Sequence, residues 1–260
     1  MATKKKLIQL SLKNAKSYRI ERLDQIKITD PEKHSKRIMS KLKNDLRMSI
    51  DPMHIECFDN SNIQGSNPTA SCVVFKNLKP KKSEYRHFKI NSVQGVDDYK
   101  SMEEVISRRY KSLIKTNESL PQLIVIDGGK GQLSSAMKSL MVLGLDKKIT
   151  IIAIAKRLEE IFFPEDPIPL YLDKKSETLK IIQQIRNEAH RFAINLHRKI
   201  RNKNSIRSIL DEISGVGPKT KIKLLNKFKS LKRVKEASKK DLIELLGNKM
   251  GKIIFEKFVK

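Results

Sequence analysis

The sequence predicts an α/β domain followed by a smaller, all-helical domain. Short apolar runs rich in β-branched residues, each bounded by polar or turn residues, indicate strands within residues 51–203. Stretches of helical periodicity alternate with the later runs, as is typical of a mixed sheet with helices on its faces. Residues 204–260 carry helical patterns on both sides of a Gly-Val-Gly turn. The remaining residues, 1–50, form a basic lead-in to the first domain.

The lead-in and the first strands are predicted from periodicity. Apolar and basic positions alternate at helical spacing over 1–50, and Asp30-Pro31 interrupts them, so we expect two helices around a turn and no separate core. Three strands follow at 55–58, 70–75 and 85–90. Their short connections predict an antiparallel meander.

The rest of the α/β domain alternates helices with strands. Helix 98–113 begins with acidic residues, which suit a helix amino terminus. The other predicted elements are a strand at 123–126, a helix at 132–143, a strand at 150–155, a proline-rich loop with a short hairpin at 162–172 and a long amphipathic helix from 176 to about 201. Polar, basic residues 202–205 predict a linker to the tail.

The formal net charge of +26 points to a polyanionic partner, nucleic acid first and an anionic membrane second. A coding bias toward Lys, Ile and Asn could also raise the charge, so it is supporting evidence only. No run approaches the roughly 20 apolar residues that a membrane span needs, and we expect no membrane association. The cysteines, Cys57 and Cys72, lie in apolar runs without metal-site spacing, which indicates reduced core residues of a cytoplasmic protein.

One apolar strand runs directly into an acid and a glycine-rich turn. Residues 123–126 are followed by Asp127-Gly128-Gly129-Lys130-Gly131. In open α/β sheets, ligands and chemistry lie at the carboxyl ends of strands, where Asp127 is expected. The segment is not a phosphate-binding P-loop, because Gly131 and Ile124 stand where that motif needs a hydroxyl residue and a glycine. Capping of the next helix by Asp127 is the alternative.

A second acid follows the first predicted strand. If the strand that ends at Asp59 neighbours the strand that ends at Asp127, the two carboxylates lie about 4.8 Å apart across the sheet. Two such carboxylates could share a divalent cation, for which Mg²⁺ and Mn²⁺ are suited. A turn role for Asp59 and a helix-start role for Asp97 or Asp98 are the alternatives.

The long helix gathers basic residues on one face. Arg186, His190 and His197 are spaced four and seven residues apart, which puts them on the same side of a helix. That face is suited to carboxylates or to phosphate. A lone helical histidine is more often a surface or core residue, and this alternative stays open for His190.

The tail carries 15 basic and 6 acidic residues over 206–260. In it, Gly215-Val216-Gly217-Pro218-Lys219 predicts a tight hairpin whose backbone N–H groups open the next helix, a place where a phosphate binds without base readout. A helix C-cap and turn is the alternative. Residues 247–251 look like a second, weaker copy without the compact Gly-apolar-Gly form.

A series of sequence blocks occurs in a recognisable order. They are His54-Ile55-Glu56-Cys57-Phe58-Asp59, Gly95-Val96-Asp97-Asp98-Tyr99, Ser101-Met102-Glu103-Glu104-Val105, Arg108-Arg109-Tyr110, the segment 126–132, Ala155-Lys156-Arg157, the segment 186–193 and the tail hairpin. Together they resemble the carboxyl-terminal half of UvrC, the incision subunit of the bacterial UvrABC excision nuclease. The resemblance covers nearly all of residues 10–260.

The resemblance implies an RNase H-like endonuclease domain followed by a tandem helix-hairpin-helix domain that binds DNA. It implies incision on the 5′ side of a lesion by a catalytic, metal-binding group of Asp59, Asp127 and His190, with Mg²⁺ or Mn²⁺ as cofactor. Asp98 is a further expected catalytic acid.

Partners and DNA contacts are expected on the same basis. Lys130 and the pair Arg108 and Arg109 would contact phosphate oxygens, and Gly215, Gly217 and Lys219 would form the phosphate contact of the tail. The partners would be damaged double-stranded DNA, UvrB and UvrA. The family's amino-terminal half, with its GIY-YIG nuclease and its UvrB-binding segment, is not among these 260 residues, so neither a second cut nor docking on UvrB is implied.

Two other functions remain open. The first is a non-catalytic DNA-binding remnant or accessory module that holds damaged or junction DNA. A decayed nuclease would be expected to lose an acid first, whereas Asp59, Asp127 and His190 are all present. The second is an RNase H-like enzyme acting on RNA–DNA hybrids or junctions, against which the helix-hairpin-helix tail argues.

Overall fold

The structure is a computed structural model that describes residues 2–63, 66–92, 97–156, 158–211, 213, 215–228 and 231–259. It divides into two compact units, Met1–Ala193 and Ile194–Lys260, each described by itself below. Of the sequence blocks above, Gly95, Val96, Arg157 and Ser214 lie outside the described residues, as does the side chain of His197.

The first unit begins with the two helices that the sequence predicts, α1 (Ala2–Thr29) and α2 (Pro31–Asp45). Asp30 caps α2, because its carboxylate accepts a hydrogen bond from the Lys33 backbone N–H, and Pro31 occupies the first helical position. The side chains of α1 are mostly exposed, whereas α2 buries Ile38, Met39 and Leu42.

A seven-stranded mixed sheet forms the centre of this unit and confirms the predicted fold class. Its strands are β1 (His54–Ile63), β2 (Ser66–Lys76), β3 (Lys79–Pro80), β4 (Arg86–Lys89), β5 (Leu123–Asp127), β6 (Thr150–Ile154) and β7 (Ile161–Phe162). The order is β3-β2-β1-β5-β6-β7, and β4 also pairs with β2. β1, β2 and β4 are the expected antiparallel trio, whereas β1, β5 and β6 run parallel.

Helices cover both faces of the sheet. They are α3 (Asp98–Thr116), α4 (Lys130–Val142) and α5 (Glu177–Asp211). Neighbouring residues of a strand point to opposite faces, so Glu56 and Asp59 of β1 face different helices. Glu56 contacts Arg109 and Tyr110 of α3. Ser71, the β2 partner of Asp59, donates to the Ala189 carbonyl of α5, which places α5 on the Asp59 face.

The parallel strands are buried on both faces, as their continuous apolar sequence predicts. All five residues of β5 are buried, and they pair in register with residues 55–59 of β1 and 150–154 of β6. Both free cysteines, Cys57 and Cys72, are also buried in this core. β1 is longer than predicted, since it continues past Asp59 to Ile63.

A buried ion pair ties β1 to α3. The Arg109 guanidinium donates to both oxygens of Glu56, the shortest contact being 2.5 Å, and the Tyr110 hydroxyl donates to Glu56 Oε2 at 2.9 Å. Although burial alone would raise it, the pKa of Glu56 is held below its ordinary value by hydrogen bonding with His54 and Arg109. The carboxylate is therefore fully paired inside the core.

The second unit is helical, as predicted. α5 belongs to it from Ile194 onward, followed by α6 (Pro218–Phe228), α7 (Leu231–Lys235), α8 (Lys239–Leu246) and α9 (Asn248–Val259). The linker predicted at 202–205 is wrong, because the helix continues through it to Asp211. A small core unites the unit, formed by Ile213, Val216, Leu224, Val234, Leu242 and Ile254.

The two glycine turns of this unit differ. Gly215, with φ +85°, precedes the buried Val216 and α6. Gly247, with φ +84°, alone joins α8 to α9. Gly251 lies inside α9, where an added Cβ would come within 2.6 Å of the Ile243 backbone. Gly251 is therefore a packing residue, in accord with the weaker form of the second hairpin.

No helix among the described residues is both long enough and apolar enough to span a bilayer.

Replacing Glu56 with Ala is expected to lower the free energy of unfolding by about 3–5 kcal/mol, because Arg109 would stay buried without its partner. Urea unfolding followed by circular dichroism measures the change. Glu84→Ala is the control, since it breaks the partly exposed pair with Lys76 and should cost less than about 1 kcal/mol. Equal losses for the two variants would contradict the structural role of the Glu56 pair.

Candidate metal centre

The site begins with the register of two parallel strands. Asp59 of β1 and Asp127 of β5 are direct Cα partners, so their side chains emerge on the same face of the sheet. Both residues are buried. The helix-cap alternative for Asp127 is excluded, because α4 begins after Gly129 without any side-chain cap. Asp59 lies within β1, so the turn alternative is excluded as well.

His190 completes a cluster of three potential ligands. It lies on α5, and its Nδ1 atom is 3.2 Å from Oδ2 of Asp59. One ligand atom from each of Asp59, Asp127 and His190 falls within 4.8 Å of the others. The His190 side chain is 51% exposed, whereas those of Asp59 and Asp127 are 4% and 0% exposed. The cluster is therefore open to solvent on the histidine side and closed below by the sheet.

Burial and mutual repulsion make the two carboxylates harder to ionise. Burial raises the pKa of the Asp59 carboxyl to about 6, and the negative charge of Asp127 adds to the rise. Burial also raises the pKa of Asp127, while the positive charges of Lys156, Arg186 and His190 oppose that rise. A cation bound between the two carboxylates would favour the ionised form of both.

The donor set fits a divalent metal ion. Neither oxygen of Asp127 accepts a hydrogen bond from any residue that the structure describes, although both atoms are buried. Unsatisfied buried carboxylate oxygens are uncommon in native proteins, and an ion is one way to satisfy them. Two carboxylates with one imidazole are ligands that Mg²⁺ and Mn²⁺ accept.

Two basic side chains surround the carboxylates. Lys156 follows β6, and its Nζ is 3.6 Å from Oδ2 of Asp127 while the side chain is 63% exposed. Arg186 lies one helical turn before His190 on α5 and is mostly buried. Its Nη2 is 3.6 Å from Oε1 of Glu159, and its buried Nη1 has no hydrogen-bond partner among the described residues.

Glu159 fastens the segment after β6 to α5. It has a positive φ of 57°, accepts a hydrogen bond from Gln183 Nε2 and lies beside Arg186. Lys156, whose ammonium group lies near Asp127, is three residues before Glu159. Of the basic face predicted on α5, Arg186 and His190 reach the site, and the side chain of His197 lies outside the described residues.

The glycine-rich turn after Asp127 permits a close approach by an aromatic ring. A Cβ added at Gly131 would lie 2.4 Å from the Tyr99 ring, so only glycine fits there without displacing Tyr99. Lys130 does not point to Asp127. Its Nζ donates to the Pro167 carbonyl at 2.6 Å and lies 5.1 Å from the centre of the Phe162 ring.

The two acids at the start of α3 lie beside this turn. Asp97 is the N-cap, because its carboxylate accepts hydrogen bonds from the backbone N–H groups of Tyr99 and Lys100. The backbone carbonyl of Asp98 accepts a hydrogen bond from Asn60 Nδ2 at 2.9 Å. Both acids line an open cleft of about 580 Å³ together with Tyr99, Gly129, Gly131 and Gln132. The ligand cluster does not include Asp98.

The predicted arginine pair is split between surface and core. Arg108 is 44% exposed, and it donates to Glu104 and to the Lys89 carbonyl. Arg109 is buried against Glu56. A phosphate contact by Arg109 would require that ion pair to break. Helical periodicity is the signal that could have separated them, because Arg109 continues the apolar stripe of Val105 and Ile106 whereas Arg108 lies outside it.

The predicted phosphate site of the tail lies at the start of α6. Gly217 precedes the helix, and an added Cβ there would meet no described atom within 4 Å. Lys219 is exposed in the first helical turn, while Val216 is buried in the core of the unit. The glycines and the lysine are thus accessible on the side opposite to the buried valine.

Lys156 is the site residue that sequence reasoning overlooked. Its block, Ala155-Lys156-Arg157, was recognisable, but no role followed from it. The available signal is register: Ile154 pairs directly with Asp127, so a residue just past the end of β6 reaches the same edge of the sheet.

Comparison with known proteins identifies related sequences for both units. The family model described as the UvrC RNase H endonuclease domain matches residues 43–194, and a model of the SAM-like helix-hairpin-helix tandem matches residues 208–256. These matches confirm the resemblance and the two kinds of domain that the sequence predicts.

Whole-chain relatives are similar along almost all of this sequence. UvrABC system protein C of Christiangramia forsetii is 59% identical over 254 residues, which are 98% of this chain and 42% of that protein. The protein of the same name from Flavobacterium psychrophilum is 58% identical over 260 residues, covering 100% of this chain and 43% of the relative. The chain thus spans about two fifths of the length of the curated relatives it matches.

The Asp59→Asn variant is expected to be more stable than the wild type at pH 8 in the presence of EDTA. The folded-state pKa of about 6 exceeds the ordinary value of 3.8, so ionisation of Asp59 destabilises the fold as pH rises between these values. The gain should be about 2–3 kcal/mol at pH 8 and should shrink at pH 5. Urea unfolding at both pH values measures it.

The control is Asp146→Asn, which removes an acid from the turn before β6, outside the site. It should leave the difference between the two pH values as it is in the wild type. If Asp59→Asn shows no pH-dependent gain, burial and the charge of Asp127 do not disfavour ionisation of Asp59 in the folded protein.

Proposed function

Since the chain belongs to the family of the UvrC RNase H endonuclease domain, we propose that it is a metal-dependent DNA endonuclease of nucleotide excision repair. Its reaction is the hydrolysis of a phosphodiester bond on the 5′ side of a lesion. The observation that carries this proposal is the cluster of Asp59, Asp127 and His190, whose ligand atoms lie within 4.8 Å of one another at an edge of the sheet.

Asp59 and Asp127 are the residues that hold the metal ion, Mg²⁺ or Mn²⁺. When bound, such an ion supplies positive charge to a phosphate oxygen and lowers the pKa of water at the site. The buried oxygens of Asp127, which accept no hydrogen bond from a described residue, are available to it, and Asp59 is held in place by the in-register pairing of β1 with β5. Asp98, in the neighbouring cleft, is a further candidate acid for the reaction.

His190 either completes the ligand set or carries a proton. Its half-exposed ring reaches solvent, and Nδ1 faces Asp59, so the carboxylate can orient the imidazole. A positioned acid or base of this kind contributes about 10²–10⁴-fold to a hydrolysis rate. The orientation by Asp59 leaves the other ring nitrogen, Nε2, to meet the DNA or a water molecule.

Lys156 is suited to contact the scissile phosphate. Its side chain is exposed, and its ammonium group is 3.6 Å from the Asp127 carboxylate, which is longer than a close hydrogen bond. The ammonium group can therefore turn from Asp127 to a nearby phosphate. Arg186, which is mostly buried on α5, adds a second positive charge near the carboxylates. Lys130 would contribute beside the glycine-rich turn, where it already donates to a backbone carbonyl. Arg108 lies on α3 and would contact a phosphate farther from the metal centre.

DNA is the proposed substrate, with the tail as a second point of attachment. The start of α6 offers Gly215, Gly217 and Lys219 to a phosphate of a duplex, and such contacts carry no base information. The relatives are named as components of the UvrABC system, and on that basis UvrA and UvrB are the proposed partners on damaged DNA.

The test of the metal site is nicking of a lesion-bearing duplex in Mg²⁺ or Mn²⁺, with UvrA and UvrB supplied. Wild type is expected to nick on the 5′ side of the lesion. Asp127→Ala is expected to lose at least about 100-fold in rate, because the ion loses a buried ligand. Gel electrophoresis of end-labelled strands measures both the rate and the position of the cut.

Asp146→Asn is the matched control, since it also removes one negative charge but lies before β6, at the opposite end of the strand from the site. It should nick as the wild type does. Equal nicking by wild type and Asp127→Ala would refute the assigned site. No nicking by any of them would favour a DNA-binding module without activity.

Gly217→Val is expected to weaken binding of duplex DNA without unfolding the tail. The substitution puts a side chain where a phosphate would approach the backbone, yet its Cβ meets no described neighbour within 4 Å. The loss should be about tenfold and similar for unrelated duplex sequences. Fluorescence anisotropy on two duplexes of different sequence measures it, and a loss confined to one sequence would contradict a phosphate contact.

A further inference from the structure

A row of paired residues crosses the sheet at the level of the metal centre. His87 of β4 pairs with Ser71 of β2, and Ser71 pairs with Asp59 of β1. Directly paired residues point to the same face, so His87 lies on the α5 side of the sheet, two strands from Asp59. At the usual strand spacing this is roughly 10 Å. His87 is therefore a near neighbour of the proposed catalytic group.

His87 forms an aromatic stack with α5. Its ring lies 3.8 Å from the ring of Phe192, with only 13° between the planes. The Tyr85 ring packs edge-on against the same Phe192 at 5.0 Å. Phe192 is packed against the hydrophobic core, whereas His87 is exposed. The imidazole is thus a flat surface supported from behind by a fixed phenyl ring.

A basic groove runs beside this stack along α5. Its volume is about 560 Å³, and it is lined by Phe75, Pro80, Lys82, Lys180, Gln183, Gln184, Asn187, Glu188 and Arg191. Lys82 and Lys180 are exposed at its walls. Arg191 is paired with Glu188 at 2.6 Å, and Glu188 also accepts from the Tyr85 hydroxyl. The charges of the two lysines are therefore the ones that the groove offers to an anion.

The groove and the metal centre share one helix. Lys180 and His190 are separated by ten residues of α5, which corresponds to roughly 15 Å along the axis. Arg191 and Phe192 directly follow His190. Residues two apart project from nearly opposite sides of a helix, so Phe192 and His190 flank α5 at about one level of its axis. A polymer that lies in the groove and on the aromatic stack would therefore come level with the cluster of Asp59, Asp127 and His190.

We propose that this groove holds a single-stranded segment of the DNA substrate, with one base stacked on His87 and phosphates near Lys82 and Lys180. The inference deepens the proposed function and rests on it. An aromatic surface of this kind favours a single strand, because a base in an intact duplex already has both of its faces stacked. The lysines contribute charge that is independent of sequence. The strand to be cut would then be held in an opened form next to the metal centre.

The first test measures binding of a fluorescent oligothymidylate and of a matched duplex to the full chain, in EDTA. His87→Ala should weaken binding of the single strand by about tenfold and change binding of the duplex by less than about twofold. His87→Phe should restore single-strand binding, since it keeps a flat ring on Phe192. Equal weakening for both kinds of DNA, or none for either, would overturn the proposal.

The second test addresses the lysines. The double variant Lys82→Ala/Lys180→Ala should reduce the slope of log affinity against log salt for the oligothymidylate by about 1.4, the value for two phosphate contacts on a single strand. The control is Lys111→Ala/Lys115→Ala on α3, which makes the same change of charge on the other face of the sheet. If the two double variants behave alike, the groove is not the binding track.

Because these measurements are made without metal, their outcome is separate from that of the nicking assay. Loss of nicking in Asp127→Ala together with unchanged binding in His87→Ala would support the proposed nuclease and refute the proposed single-strand groove. Unchanged nicking in Asp127→Ala together with weakened single-strand binding in His87→Ala would support the groove and refute the proposed nuclease site.

Discussion

The in-register parallel pairing of β1 with β5 is the constraint on which the site depends. It sets Asp59 beside Asp127 on one face of a buried sheet, where both residues are almost completely shielded from bulk water. Backbone hydrogen bonds fix the separation, so the two charges cannot relax apart. Positive charge lies close to both carboxylates, from Arg186 on α5 and from Lys156 after β6. The chemistry proposed for the site follows from this forced proximity of like charges.

β1 also carries a buried acid with a structural role, Glu56. Glu56 is three residues before Asp59 and points to the opposite face, where Arg109 and Tyr110 satisfy its oxygens. Asp127 has no such hydrogen-bond donor among the described residues. The contrast separates the two functions of buried carboxylates in this domain: one is neutralised by a fixed partner, and the other is left available to a ligand.

Much of this could be predicted from the sequence, because the strongest signals are local. An apolar run that ends in an acid located Asp127, and the break at Asp30-Pro31 located the first turn. What failed depended on tertiary contacts. Periodicity places Arg109 on the apolar stripe of α3, but only its contact with Glu56 accounts for a buried arginine there. Only the register of β6 with β5 brings Lys156 to the site. The polar stretch 202–205 resembles a linker, yet α5 continues through it to Asp211 although Asn and Ser have low helix propensity.

The burial of Asp59 has a consequence for how such a protein changes over evolutionary time. We expect a substitution that removes either acid to relieve the cost of a buried charge and to strengthen the fold, so that selection for stability alone would favour loss of the site. Loss of the site would therefore not lower the stability of the fold, whereas loss of Glu56 is expected to lower the free energy of unfolding. A chain freed from its catalytic task would shed Asp59 or Asp127 early while remaining well folded. Both acids are present beside His190, as the proposed metal site requires.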